Sequence, residues 1–113
     1  TYPNLYFDLA TGYPGRIYEC DGKKILDTVI WRRDGDEQVS ELDDQWKTIM
    51  IDFSNRFVVG FDYGGGRGPL AKFLRKRTDN IRVIMGEFPD DVRHAIGYRN
   101  AWKLLTGKSW QAK

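Results

Sequence analysis

The sequence predicts an α+β fold, an antiparallel β-meander of four to six strands with two helices in the C-terminal half, and three observations carry that prediction. Short aromatic and β-branched segments alternate with turn residues from Leu5 to Tyr63. After Pro69 the apolar spacing lengthens from two residues to three or four. Gly68-Pro69 and Pro89-Asp90-Asp91 stand where helices begin. The 113 residues suffice for one core and not for two, so a single domain, 1–113, is expected.

The elements follow in chain order. LYFDLA (5–10) and RIYEC (16–20) read as strands, with Thr11-Gly12-Tyr13-Pro14-Gly15 as turn chemistry between them. Asp21-Gly22 supplies the positive φ angles of a two-residue type I′ turn, and KILDTVIWRR forms the return strand. The acidic stretch DGDEQVSELDD (34–44) reads as a loop. WKTIMIDF (46–53) and RFVVGFDY (56–63) flank Ser54-Asn55 as a second hairpin. Gly68 at an N-cap and Pro69 at the first helical position open a helix. Leu70, Phe73, Leu74 and Arg77 fall on one side of it, and Lys72, Arg75 and Lys76 on the other. IRVIMGEF (81–88) then reads as a strand. A last helix opens at Pro89 with acids in its first turn, buries Val92, Ala95, Tyr98, Trp102 and Leu105, and stops at Gly107.

Composition excludes several classes. With 41% hydrophobic and 30% charged residues, the chain belongs with folded proteins rather than disordered ones. No apolar run approaches the ~20 residues a membrane span needs. The start, TYPNLYFDLA, lacks the basic and apolar regions of a signal peptide, so a cytoplasmic location is expected. One cysteine and one histidine cannot build the usual zinc site. The net charge of +2 hides a polar molecule: residues 1–56 hold seven Lys and Arg against eleven Asp and Glu, and residues 57–113 hold eleven against five. A positive second half attracts phosphate or an acidic protein surface.

Asp62-Tyr63-Gly64-Gly65-Gly66-Arg67-Gly68 spells D-x-G-x-G-x-G between an expected strand and an expected helix. This resembles the first motif of Rossmann-type S-adenosylmethionine-dependent methyltransferases, over residues 57 to about 105. The resemblance implies that Asp62, Gly64, Gly66 and Gly68 bring the backbone against S-adenosylmethionine, and that Glu87, ending the next strand, binds its ribose. It leaves too little chain for the rest of that sheet. The same turn also reads as a structural glycine corner, or as an anion site made by backbone N–H groups and Arg67.

Other constellations are weaker. Asp8, Asp62 and Glu87 would make a metal-dependent nuclease if three strand ends met. Thr106-Gly107-Lys108-Ser109 ends like a phosphate-binding loop, but Trp102 occupies the position of its first glycine. His94 reads as a surface histidine and Cys20 as a packed small residue. Among the aromatics near the basic cluster, Phe73, Tyr98 and Trp102 read as core, and Tyr63 and Trp110 as exposed. The function expected from these residues is that of a small binding or regulatory protein without a catalytic set, cofactor or metal. It would dock on a larger protein or a nucleic acid through Arg67, Lys72, Arg75, Lys76 and Tyr63.

Overall fold

A computed structural model of the chain describes residues 5–9, 14–15, 17–26, 29–61 and 69–112. The fold is α+β. Among the described residues six short strands pair two by two, so the single meander expected from the sequence is not what they form. In the first hairpin, β2 (Ile17–Cys20) runs antiparallel to β3 (Lys23–Leu26), with Cys20 opposite Lys23. Asp21 and Gly22 take φ of 51° and 71°, the left-handed pair that the type I′ turn requires. Val29 and Ile30 are not strand, so the expected return strand does not run on unbroken to Arg33.

The stretch expected as an acidic loop is instead a second hairpin. β4 (Trp31–Asp34) pairs with β5 (Glu37–Leu42) around Gly35, whose φ is 61°. The ladder has one buried end, where Trp31 sits opposite Leu42, while Asp34, Asp36, Glu37 and Glu41 face solvent. A hairpin wetted on one side tolerates such charge, and Arg32 pairs with Glu41 across the strands at 2.8 Å.

Residues 46–53, expected as a strand, are helical as far as Asp52. α1 (Asp44–Asp52) starts at Asp43, whose Oδ1 accepts from the backbone N–H of Gln45 at 3.0 Å and of Trp46 at 3.3 Å. That cap satisfies donors a helix start leaves open, and it outweighs the strand-like run Ile49-Met50-Ile51. Met50 is wholly buried and Trp46 packs on the core one turn earlier. Ser54-Asn55-Arg56 forms a 3₁₀ turn rather than a hairpin turn. β6 (Phe57–Val58) then pairs in parallel with β1 (Phe7–Asp8), bringing the Phe7 and Phe57 rings into a stack 5.3 Å apart.

α2 (Leu70–Gly86) starts one residue later than expected, with Pro69 as its N-cap rather than its first helical residue, and continues through the expected strand 81–88 as far as Gly86. Ile81, Val83 and Ile84 favour strands in isolation, yet here Arg77, Ile81, Ile84 and Met85 supply the helix's inward side. Burial of that side overrides local preference. A helical run from Pro89 follows: α3 (Asp90–His94), a π segment (Ala95–Arg99) and α4 (Asn100–Thr106), closed by Gly107 at φ 69°.

The π segment changes which residues face inward. The Asn100 N–H reaches Ala95 O, which leaves Ile96 O to accept from Val59 N at 3.3 Å. Val92, Ile96 and Asn100 therefore line the buried side, whereas Tyr98, Trp102 and Leu105, expected there, are exposed. Asn100 Nδ2 donates to Ser54 O at 2.6 Å and to Phe57 O at 2.7 Å, joining this helix to β6. Met50, Ile84 and Ile96 form the centre of the core, with Trp31 and Leu42 closing one side and Phe57 another. No helix among the described residues is long and apolar enough to cross a membrane.

Candidate functional site

The first turns of α2 carry the cations. Lys72, Arg75 and Lys76 lie three and four positions apart and are all exposed. Among the described residues neither Lys72 nor Arg75 has an ion-pair partner. Arg77 points the other way, is buried, and places its guanidinium 5.2 Å from the Phe73 ring centroid. Leu70 and Leu74, expected on the packed side, are exposed, because the helix reaches the core only from Arg77 onward. Arg67 and Tyr63, the remaining members of the expected face, lie outside the described residues, as do Asp62, Gly64, Gly66 and Gly68.

Glu87 is described, and it follows a helix rather than ending a strand. Its Oε1 accepts from Leu42 N at 2.8 Å, and Oε2 lies 3.4 Å from Lys47 Nζ. Both oxygens thus tie the end of α2 to β5 and α1. Asp8 is elsewhere: its carboxylate lies against the Gly60 α-carbon, in the space a Cβ would fill. Among the described residues no group of three His, Cys, Asp or Glu side chains is placed to hold a metal ion.

The minor candidates resolve simply. His94 is exposed, 5.6 Å from the Tyr98 ring. Cys20 is exposed rather than packed, since β2 and β3 stand clear of the core at their turn. Thr106 Oγ1 donates to Trp102 O at 2.7 Å and accepts from Lys108 N at 3.1 Å, so the T-G-K-S segment is a helix stop.

One cluster was legible only in part: Trp110 is exposed as expected, but Tyr98 and Trp102, expected in the core, are exposed beside it. Tyr98, Trp102 and Trp110 are 37%, 41% and 42% exposed, and Trp110 meets both other rings edge to face, at 5.1 and 5.2 Å between centroids. The Arg99 guanidinium lies 5.9 Å from the Tyr98 centroid. The available sequence signal was the absence of any acid after Asp91 in a segment that carries these rings. No family model matches the chain, and no curated protein or solved structure matches it either.

Proposed function

We propose that this chain is a non-enzymatic binding or regulatory protein that docks on an acidic protein surface or a nucleic acid through the basic face of α2. The supporting observation is the exposure of Lys72, Arg75 and Lys76 on one short stretch of helix, with no carboxylate against Lys72 or Arg75 among the described residues. Unneutralised cations on a rigid element attract a polyanion and orient it. Arg67 and Tyr63 belong to the same proposed face.

The test is the triple substitution Lys72→Glu, Arg75→Glu, Lys76→Glu. Anisotropy titrations with DNA and RNA duplexes should lose binding in the variant, and the parent's affinity should fall steeply with salt as counterions are released. With an acidic protein partner, duplex titrations of the parent stay flat and the variant slows association with that partner more than it speeds dissociation. A variant that binds every ligand as the parent does would leave the face merely solvated.

The two enzyme-like readings have thinner support. An S-adenosylmethionine site would rest on Asp62, Gly64, Gly66 and Gly68, because the Glu87 oxygens are engaged at Leu42 and Lys47. Calorimetric titration with S-adenosylmethionine, repeated on Gly66→Val, decides it. A nuclease site would need Asp8, Asp62 and Glu87 together, and heat release on adding Mg²⁺ is its measurement.

A further inference from the structure

Tyr98, Trp102 and Trp110 present three large rings to solvent, and the edge-to-face contacts of Trp110 hold them in place before anything binds. Preordered rings lose little freedom on meeting a ligand. The charges around them select that ligand. Residues 92–113 contain Arg93, Arg99, Lys103, Lys108 and Lys113 and no Asp or Glu. Arg93 is paired with Asp90, whereas Arg99, Lys103 and Lys108 have no ion-pair partner among the described residues.

A cationic ligand is disfavoured on two counts. The surrounding charge repels it, and rings whose centroids are about 5 Å apart touch one another and leave no cage between them. A lipid surface shares the charge complementarity, but the C-terminal end of the helical run offers little exposed aliphatic face beyond Leu104 and Leu105. A polyanion with exposed flat faces satisfies both features, with phosphates on the cations and bases on the rings. Duplexes hide those faces.

We infer that Tyr98, Trp102 and Trp110, flanked by Arg99, Lys103 and Lys108, form a stacking platform for single-stranded nucleic acid. The inference uses residues of the C-terminal run alone and does not depend on the basic face of α2.

The test uses the full chain with three probes: a fluorescein-labelled oligothymidylate about twenty nucleotides long, a duplex of the same length, and phosphatidylserine vesicles. The single strand should bind, quench tryptophan emission and outcompete the duplex. Trp102→Ala and Trp110→Ala should each weaken binding about tenfold, in the range of losing one stacked base. Lys103→Glu with Lys108→Glu should lower the salt slope on the single strand by about 1.4, near 0.7 for each lost phosphate contact. This charge variant alters only exposed side chains, so it keeps the test decisive even if a tryptophan variant fails to fold. The Lys72, Arg75, Lys76 triple variant should keep the tryptophan quenching, which separates this site from the face on α2. Tryptophan variants that bind like the parent would overturn the inference, as would equal affinity for duplex, or vesicle binding without oligomer binding. Sedimentation showing a dimer that Trp102→Ala dissolves would overturn it in favour of self-association.

Discussion

At the scale of single residues, Asn100 is the clearest structural commitment. It is a buried amide in a mostly apolar surround, and its two N–H groups satisfy Ser54 O and Phe57 O. Asn100→Ala should lower stability by about 1–3 kcal/mol in urea denaturation, because those carbonyls lose their donor. Asn100→Asp should cost more, since a carboxylate there faces two acceptors. Gly60 makes a second such contact, with its α-carbon under the Asp8 carboxylate. Gly60→Ala must displace that carboxylate and should destabilise, whereas the same change in an Asp8→Ala background should be nearly neutral. A double-mutant cycle on the four proteins measures the difference.

At the scale of elements, local chemistry was readable where one residue type sets the backbone. Asp21-Gly22 makes its turn and Gly107 its stop through left-handed φ, and Pro89 opens its helix. Residues 46–53 and 81–88 were misread because Ile, Val and Met fit a strand or a buried helix side equally well at short length. For α1 the deciding group is the Asp43 cap, so Asp43→Ala should cost about 1 kcal/mol and lower helix content on heating before the rest of the chain melts. Circular dichroism at 222 nm beside tryptophan emission checks that order. The π segment is a different case, because no sequence period announces it. Deleting Gly97 should turn the Asn100 N–H to Ala95 O bond into an ordinary helical one, restore regular helix spacing and leave Asn100 on its two carbonyls. A stability change smaller than that of Asn100→Ala is the expected result.

At the scale of the molecule, one core collects side chains from far apart in the chain, from Leu9 to Ile96. Met50 lies at its centre with no exposed surface, so Met50→Ala should cost about 2–5 kcal/mol by the same urea assay. The triple substitution at Lys72, Arg75 and Lys76 should change stability by less than about 0.5 kcal/mol, since those side chains are in water. The contrast separates residues that hold the fold from residues that face solvent. It also explains why the candidate surfaces differ in how readable they were. The α2 cations show in the sequence because Lys and Arg favour water wherever the helix turns them, and only Arg77 departs from that.

The sequence by itself determined the α+β class, the first hairpin, the helix start at Pro89, the start of α2 to within one residue, and the uneven charge. Each follows from steric limits on one or two residues or from the solvation of charge, and none needs distant contacts. Only the tertiary structure decided that 46–52 and 81–86 are helical, that 34–44 contains a hairpin rather than a loop, and that the strands pair two by two. It also decided which aromatics are buried. Tyr98 and Trp102 have the spacing of a core face, and they are exposed because the helix presents Val92, Ile96 and Asn100, four positions apart, to the core and β6 instead. That choice is made by contacts between segments distant in sequence, among them the Val59 N–H on the Ile96 carbonyl 37 positions away, which no local pattern encodes.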